Sequence, residues 1–195
     1  VGNVTMCYTN KQNIAKAKIF SRRDNPTPEI LDQRAKMKGL VQLSRRLIPV
    51  IRKGFVGMGN GTTSNAFMKV NQAAVEVDEK HVATIVFDRL KMAEGLLYTP
   101  KVTVTYASES KMYSFEQEML EEENGFALAD DLVYAVLFES VLMRVKLISL
   151  RSRGENGNTS VGLPKNWEQA NVKVYCFATS KNGKSISPSL YLAVE

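Results

Sequence analysis

Two periods of hydrophobic and polar residues divide this chain, and the change falls near Val82. Before it, Val4-Thr-Met-Cys-Tyr8 and Ile14 to Phe20 read as two short strands joined by a polar turn, Thr9 to Asn13. In the second arm Ile14, Lys16, Lys18 and Phe20 share one face, and Ala15, Ala17 and Ile19 share the other. A lone hairpin is marginal in water. Val4, Met6, Tyr8, Ile14, Ile19 and Phe20 are therefore candidate assembly-strand residues that must dock on the rest of the molecule or on a neighbour. Next, Pro26 and Pro28 enforce an extended entry, and Thr27 stands as an N-cap with Pro28 at the first helical position. The pattern predicts a helix from about Pro28 to Leu47 or beyond. Its apolar stripe is Met37, Leu40, Val41, Leu47, Ile48 and Ile51, with Ser44 the only polar interruption, and Pro49 should kink or end it near Ile48. A glycine-rich connector, Gly54 to Gly61, leads to a second predicted helix over roughly Asn65 to Val75, capped by Thr63 or Ser64.

From Val82 onward the runs are short, β-branched and alternating. They predict strands near Ala83–Leu90, Val102–Ala107, Met112–Met119, Leu132–Glu139, Leu142–Leu150, Thr159–Leu163, Val172–Ala178 and Ser189–Val194. Turn signals separate them at Asn124-Gly125, Arg153 to Gly157 and Asn182-Gly183, the last being the strongest hairpin signal in the chain. The expected fold is α+β: an N-terminal β-hairpin and two helices with a C-terminal antiparallel β-sandwich, immunoglobulin- or fibronectin-III-like. The expected division is 1–81 for the basic hairpin and helices and 82–195 for the sandwich.

Charge sharpens this division. Residues 1–81 net +8 and residues 82–195 net −2, within a chain of 195 residues and overall charge +6. Between Lys11 and Lys53 the local balance is +9. Arg22, Arg23, Arg34, Lys38, Arg45, Arg46, Arg52 and Lys53 are thus candidate contacts for an anion or a nucleic-acid backbone. Against that stand the scarcity of aromatics for base stacking and the lack of a helix-turn-helix, zinc-finger or RNA-binding strand motif; arginine stems covering apolar surface explain the same residues. No apolar run reaches the roughly 18 residues of a membrane span. Cys7 and Cys176 stand far apart on two predicted strands and read as packed, reduced thiols.

Catalytic chemistry finds little support. His81 is the single histidine, with neither cysteine at metal-ligand spacing and no recognisable nucleophile set. Gly57-Met-Gly-Asn-Gly-Thr-Thr-Ser64 superficially resembles a phosphate cradle, but it follows a helix rather than a strand and no Gly-Lys-Ser/Thr ends it. Glu121, Glu122 and Glu123 with Asp130 and Asp131 do not match a calcium loop and read as a solvated hairpin tip. Trp167 reads as a core anchor. No cofactor and no metal are expected.

Several stretches carry a resemblance. Gly2-Asn3-Val4, the basic hairpin, Asn25-Pro-Thr-Pro-Glu29 leading to Gln33 and Arg34, and Asn65-Ala66-Phe67 occur in this order. Gly162-Leu-Pro164, Trp167, Val172-Lys-Val-Tyr175, Phe177, Ser180-Lys-Asn-Gly-Lys184 and Ser187-Pro-Ser-Leu-Tyr191 follow. This arrangement is similar to an uncharacterised Bacteroidota family known only as a domain of unknown function. The resemblance implies an architecture, no activity, and a short glycine-rich leader without a secretion signal, hence the cytoplasm; the chain here starts at Val1. The resulting expectation is a non-enzymatic interaction or assembly protein, partnered by itself as a homo-oligomer or by another protein. The alternative is sequence-independent nucleic-acid binding by the basic N-terminal region.

Overall fold

Proline placement sets the helical part. In the computed structural model, which describes residues 3–17, 24–59 and 61–194, helix α1 runs Pro28–Arg46 with Thr27 at the N-cap position and Pro28 in its first turn. The Thr27 hydroxyl does not cap a backbone N–H; it donates to the Glu29 carboxylate and lowers its pKa. Pro49 has no N–H to offer the preceding turn, and the chain restarts as helix α2, Ile48–Gly54. Leu40, Leu43, Leu47, Val50 and Ile51 are buried. Ile48, expected in that stripe, instead points outward because the break at Leu47 re-phases the helix. Ser44 is buried but satisfied, its hydroxyl donating to the Val41 carbonyl.

Helix α3, Thr63–Val70, is capped one residue earlier than expected, by the Thr62 hydroxyl accepting from Asn65 N–H at 3.2 Å. It is also shorter than expected, passing through a 3₁₀ turn, Asn71–Ala74, into strand β3, Val75–Val77. Asn71 forces this exit: its buried amide donates to the Phe67 and Lys91 carbonyls and accepts from Lys91 N–H. β3 pairs with β4, Ala83–Ile85, all that forms of the strand expected over Ala83–Leu90. Val86 to Leu90 curls instead into turns, with Arg89 N–H bonded to the Val86 carbonyl and Leu90 N–H to that of Phe87.

The remaining strands make two facing antiparallel sheets. One has three strands in the order β5 (Val102–Ala107), β6 (Met112–Gln117), β9 (Gly157–Gly162). The other has four, in the order β11 (Leu190–Leu192), β10 (Val172–Thr179), β7 (Leu132–Glu139), β8 (Arg144–Ser152). The chain crosses between sheets from β6 to β7, β8 to β9 and β9 to β10, giving the antiparallel sandwich expected, here with three strands facing four. The final hairpin is looser than its Asn182-Gly183 pair suggests. Only Gly183 takes positive φ (68°), the loop closes from Ser180 to Ser185, and Pro188 delays regular pairing until Leu190.

β7 and β10 explain why the sandwich and the helices form together. Val133, Ala135 and Leu137 of β7, with Val174, Cys176 and Ala178 of β10, face the three-stranded sheet beside Val104, Tyr113, Phe115 and Trp167. Tyr134, Val136 and Phe138, with Tyr175 and Phe177, face the helices beside Leu40, Leu43, Leu47, Phe55 and Phe67. The four-stranded sheet is thus a middle layer covered on both faces, which accounts for uninterrupted apolar runs in place of alternation. Gly95 passes so close to this layer that a Cβ would stand 2.1 Å from the Ile186 carbonyl oxygen, whose other neighbour is Leu97 N–H at 2.9 Å.

The two cysteines are both free: Cys7 is half-buried and Cys176 buried. Burial pushes the Cys176 thiol up to about 12, so it carries almost no thiolate at pH 8. A maleimide at pH 7.5 should label one thiol per chain rapidly, at Cys7, and the second only on unfolding. Rapid labelling of both would show that the middle layer is open.

Candidate functional site

The N-terminal hairpin is the element least used by the rest of the fold. β1, Val4–Thr9, pairs with β2, Gln12–Ala17, from Val4↔Ala17 to Thr9↔Gln12. The turn is tighter than the five residues expected. Asn10 and Lys11 alone form it, with φ of 51° and 62°, the two left-handed positions of a type I′ turn whose twist suits a hairpin. Cross-strand pairing places Val4, Met6, Tyr8, Ala15 and Ala17 on one face. Val4, Met6 and Tyr8 are 57%, 71% and 69% exposed, and no hairpin residue belongs to either core. The other face carries Cys7, Ile14 and Lys16. Ile19 and Phe20, expected to extend this strand pair, lie outside the described residues.

The basic residues do not form one uniform stripe. Arg22 and Arg23 lie outside the described residues. Arg34 is engaged by Asp24 through two hydrogen bonds of 2.8 and 2.7 Å, which raise its pKa. Arg45 and Arg46 occupy the last turn of α1, and Arg52 and Lys53 that of α2, where cations oppose the partial negative charge of a helix C-terminus. Lys53 also reaches the Tyr134 hydroxyl at 3.4 Å and lies 4.8 Å above its ring. Lys38, Arg45, Arg46 and Arg52 make no ion pair among the described residues. Arg45 and Arg46 border an open cleft of about 600 Å³ with Gln42, Leu142 and Met143. Arg52 and Lys53 border another, of about 290 Å³, with Lys181.

His81 does stand beside an acid. Its Nδ1 is 2.6 Å from Asp32 Oδ1, but both side chains are partly exposed and border neither basic cleft. The pair joins helix α1 to the β3–β4 turn, in which His81 itself has φ of 60° and Asp78 accepts from the N–H groups of Lys80 and Val82. This geometry describes a structural clip. Among the described residues no group of three or more His, Cys, Asp or Glu could hold a metal ion. Among the described residues no helix is long and apolar enough to cross a membrane.

A site that the sequence reading missed lies at one pole of the sandwich. Arg153, at the end of β8, is buried beside Asp131, with Nε 3.1 Å from Oδ2, and its Nη2 donates to the Tyr98 carbonyl at 2.7 Å. Burial lowers the arginine's pKa, and Asp131 opposes that shift. Above it opens a cavity of about 250 Å³ lined by Tyr98, Pro100, Lys101, Met119, Leu120 and the glutamates Glu118, Glu121 and Glu122. Lys101 pairs with Glu121 at 2.9 Å and with Glu118 at 3.5 Å, which lowers the pKa of Glu121. The pole therefore presents an acidic surface beside the start of β5. Glu121 and Glu122 were legible as part of a charged tip, whereas Asp131, read with them as solvated, is buried; the meeting of these residues with 98–101 and 153 is a product of sandwich topology that no local motif encodes.

No family model, curated protein or solved structure gives a significant match to this chain. The Bacteroidota resemblance rests on the residues quoted for it alone.

Proposed function

We propose that this protein is a non-enzymatic assembly protein that self-associates through its N-terminal hairpin. The observation that carries this reading is the exposed Val4, Met6 and Tyr8 face on a two-stranded ribbon that neither core supports. A ribbon of this size is marginal alone in water and gains stability when a third strand or an apolar surface covers it. Fully burying three such side chains contributes on the order of 5–9 kcal/mol. Association costs about 4–15 kcal/mol in lost freedom. Side-chain burial and association cost are of the same order, so a stable assembly also needs main-chain pairing or charge complementarity at the receiving surface.

The test is the mass in solution of a Met6→Glu/Tyr8→Glu variant, with its fold checked by circular dichroism. The expected result is a folded monomer where the unmodified chain is an oligomer; an unchanged mass would contradict the reading.

A second reading, sequence-independent nucleic-acid binding, is favoured by Lys38, Arg45, Arg46 and Arg52, which make no ion pair among the described residues. It is weakened by the capture of Arg34 by Asp24 and by the helix-end positions of Arg45, Arg46 and Arg52. Duplex DNA added to the same variant separates the two readings: a shift that survives the hairpin substitutions and vanishes at high salt supports the second.

A further inference from the structure

We infer that the surface receiving the hairpin is the open edge of β5 in a second copy of the chain, entered by strand addition. This rests on the assembly reading above. Four observations favour that edge over the others.

The first is its lack of protection. β5 is the outermost strand of its sheet, and Val102-Thr-Val-Thr-Tyr-Ala107 contains no charge and no proline. Edge strands in monomers are ordinarily blunted by such residues. The competing edges are blunted: β8 carries Arg144, Lys146 and Arg151, which repel a hairpin holding Lys11 and Lys16, and β11 is three residues long. β9 begins at Gly157, whose φ is 135°, and is tied to β8 by the short turn of residues 153–156.

The second is register. β1 and β5 are each six residues long, and both alternate with apolar side chains on one face. Val4, Met6 and Tyr8 repeat with the same period as Val102, Val104 and Tyr106, whose face turns toward the other sheet. Antiparallel addition of β1 to β5 continues the inner face of the sandwich outward, with the hairpin's apolar face inward.

The third is an uncovered partner for that face. Because only residues 153–156 separate β8 from β9, these two outermost strands lie on the same side of the two sheets, and β5 and β11, the other outermost strands, flank the opposite side. Leu190 on β11 pairs with the core residue Cys176, so its side chain belongs to the inner face, yet it is 46% exposed. The added hairpin would cover it.

The fourth is charge. Residues 3–17 contain Lys11 and Lys16 and no carboxylate, while Glu118, Glu121 and Glu122 gather around Lys101 immediately before β5. Complementary fields steer such an encounter and fix its direction. The contact joins two different surfaces of identical chains, so it closes as a reciprocal dimer or a ring, or continues as a filament.

The test uses two full-length variants: Met6→Glu/Tyr8→Glu in the hairpin, and Thr103→Lys/Thr105→Lys on the exposed face of β5. Both sets of positions are exposed, and circular dichroism checks that each variant folds. Light scattering should show each variant alone as a monomer. An equimolar mixture should form a 1:1 heterodimer and stop there, because one intact hairpin then meets one intact edge. Its affinity should fall several-fold from 50 to 500 mM NaCl. If the edge variant assembles like the unmodified chain while the hairpin variant does not, the β5 assignment is overturned and the hairpin reading stands. A mixture that stays monomeric also overturns it. If the hairpin variant assembles normally, the reading beneath it fails as well.

Discussion

Replacing Asp131 by alanine is expected to destabilise the fold by about 3–5 kcal/mol, the usual consequence of leaving one member of a buried ion pair without its partner. Arg153 and Asp131 are 4% and 1% exposed, so loss of the carboxylate leaves a largely buried guanidinium without its charged partner. The carboxylate also accepts from Leu128 N–H at 3.1 Å, and the backbones of residues 131 and 153 are joined at 2.8 Å. Loss of the pair therefore loosens the β6–β7 connection and the end of β8 together. Urea unfolding measures the effect. The double variant Asp131→Leu/Arg153→Met should recover much of the loss, since an apolar pair of similar volume avoids the desolvation cost. A single-variant cost under about 1 kcal/mol would show that the pair is solvated, because exposed pairs contribute no more than that.

Phe177→Ala should cost a similar amount, about 3–5 kcal/mol, by opening a cavity in the middle layer. Phe177 is fully buried, stacks on Tyr134 with ring centroids 5.4 Å apart, and faces the helices. The informative quantity is how the transition is shared. Trp167 reports on the opposite face of the same sheet. Its fluorescence and the helical circular dichroism should shift together to lower urea, because β7 and β10 serve both cores. Loss of the helical signal alone, with the tryptophan transition unmoved, would mean that the helices and the sandwich unfold as separate units.

These two residues also show what was legible in the sequence. The β-branched and aromatic runs expected over Val172–Ala178 and Leu132–Glu139 coincide with β10 and β7; their burial on both faces emerges only from the fold. Pro28, Pro49 and Thr27 placed the helix boundaries to within about two residues. What failed was governed by distant contacts. The 3₁₀ exit at Asn71 depends on an amide reaching Lys91, and Val86 to Leu90 leaves the strand conformation to place the Phe87 carbonyl against the Tyr175 hydroxyl at 2.7 Å. Neither partner is visible in a local window.

The candidate surfaces divide in the same way. Val4, Met6 and Tyr8 were legible because period-two alternation on a lone hairpin already implies an uncovered face. The Arg153 pole was not, since it gathers residues from three loops. The basic stripe was legible as composition only: capture of Arg34 by Asp24 and the helix-end placement of Arg45, Arg46, Arg52 and Lys53 emerge from the fold. Of these surfaces only the hairpin lacks support from either core, which makes it the centre of the functional account.

That account is tested most directly by the mass of the unmodified full-length chain, measured by multi-angle light scattering at micromolar concentration, at low and at high salt. The account predicts a discrete multiple of the protomer mass at low salt, dissociating partly as salt rises. A chain that runs as a monomer at every concentration and salt, with Val4, Met6 and Tyr8 still exposed, would contradict it.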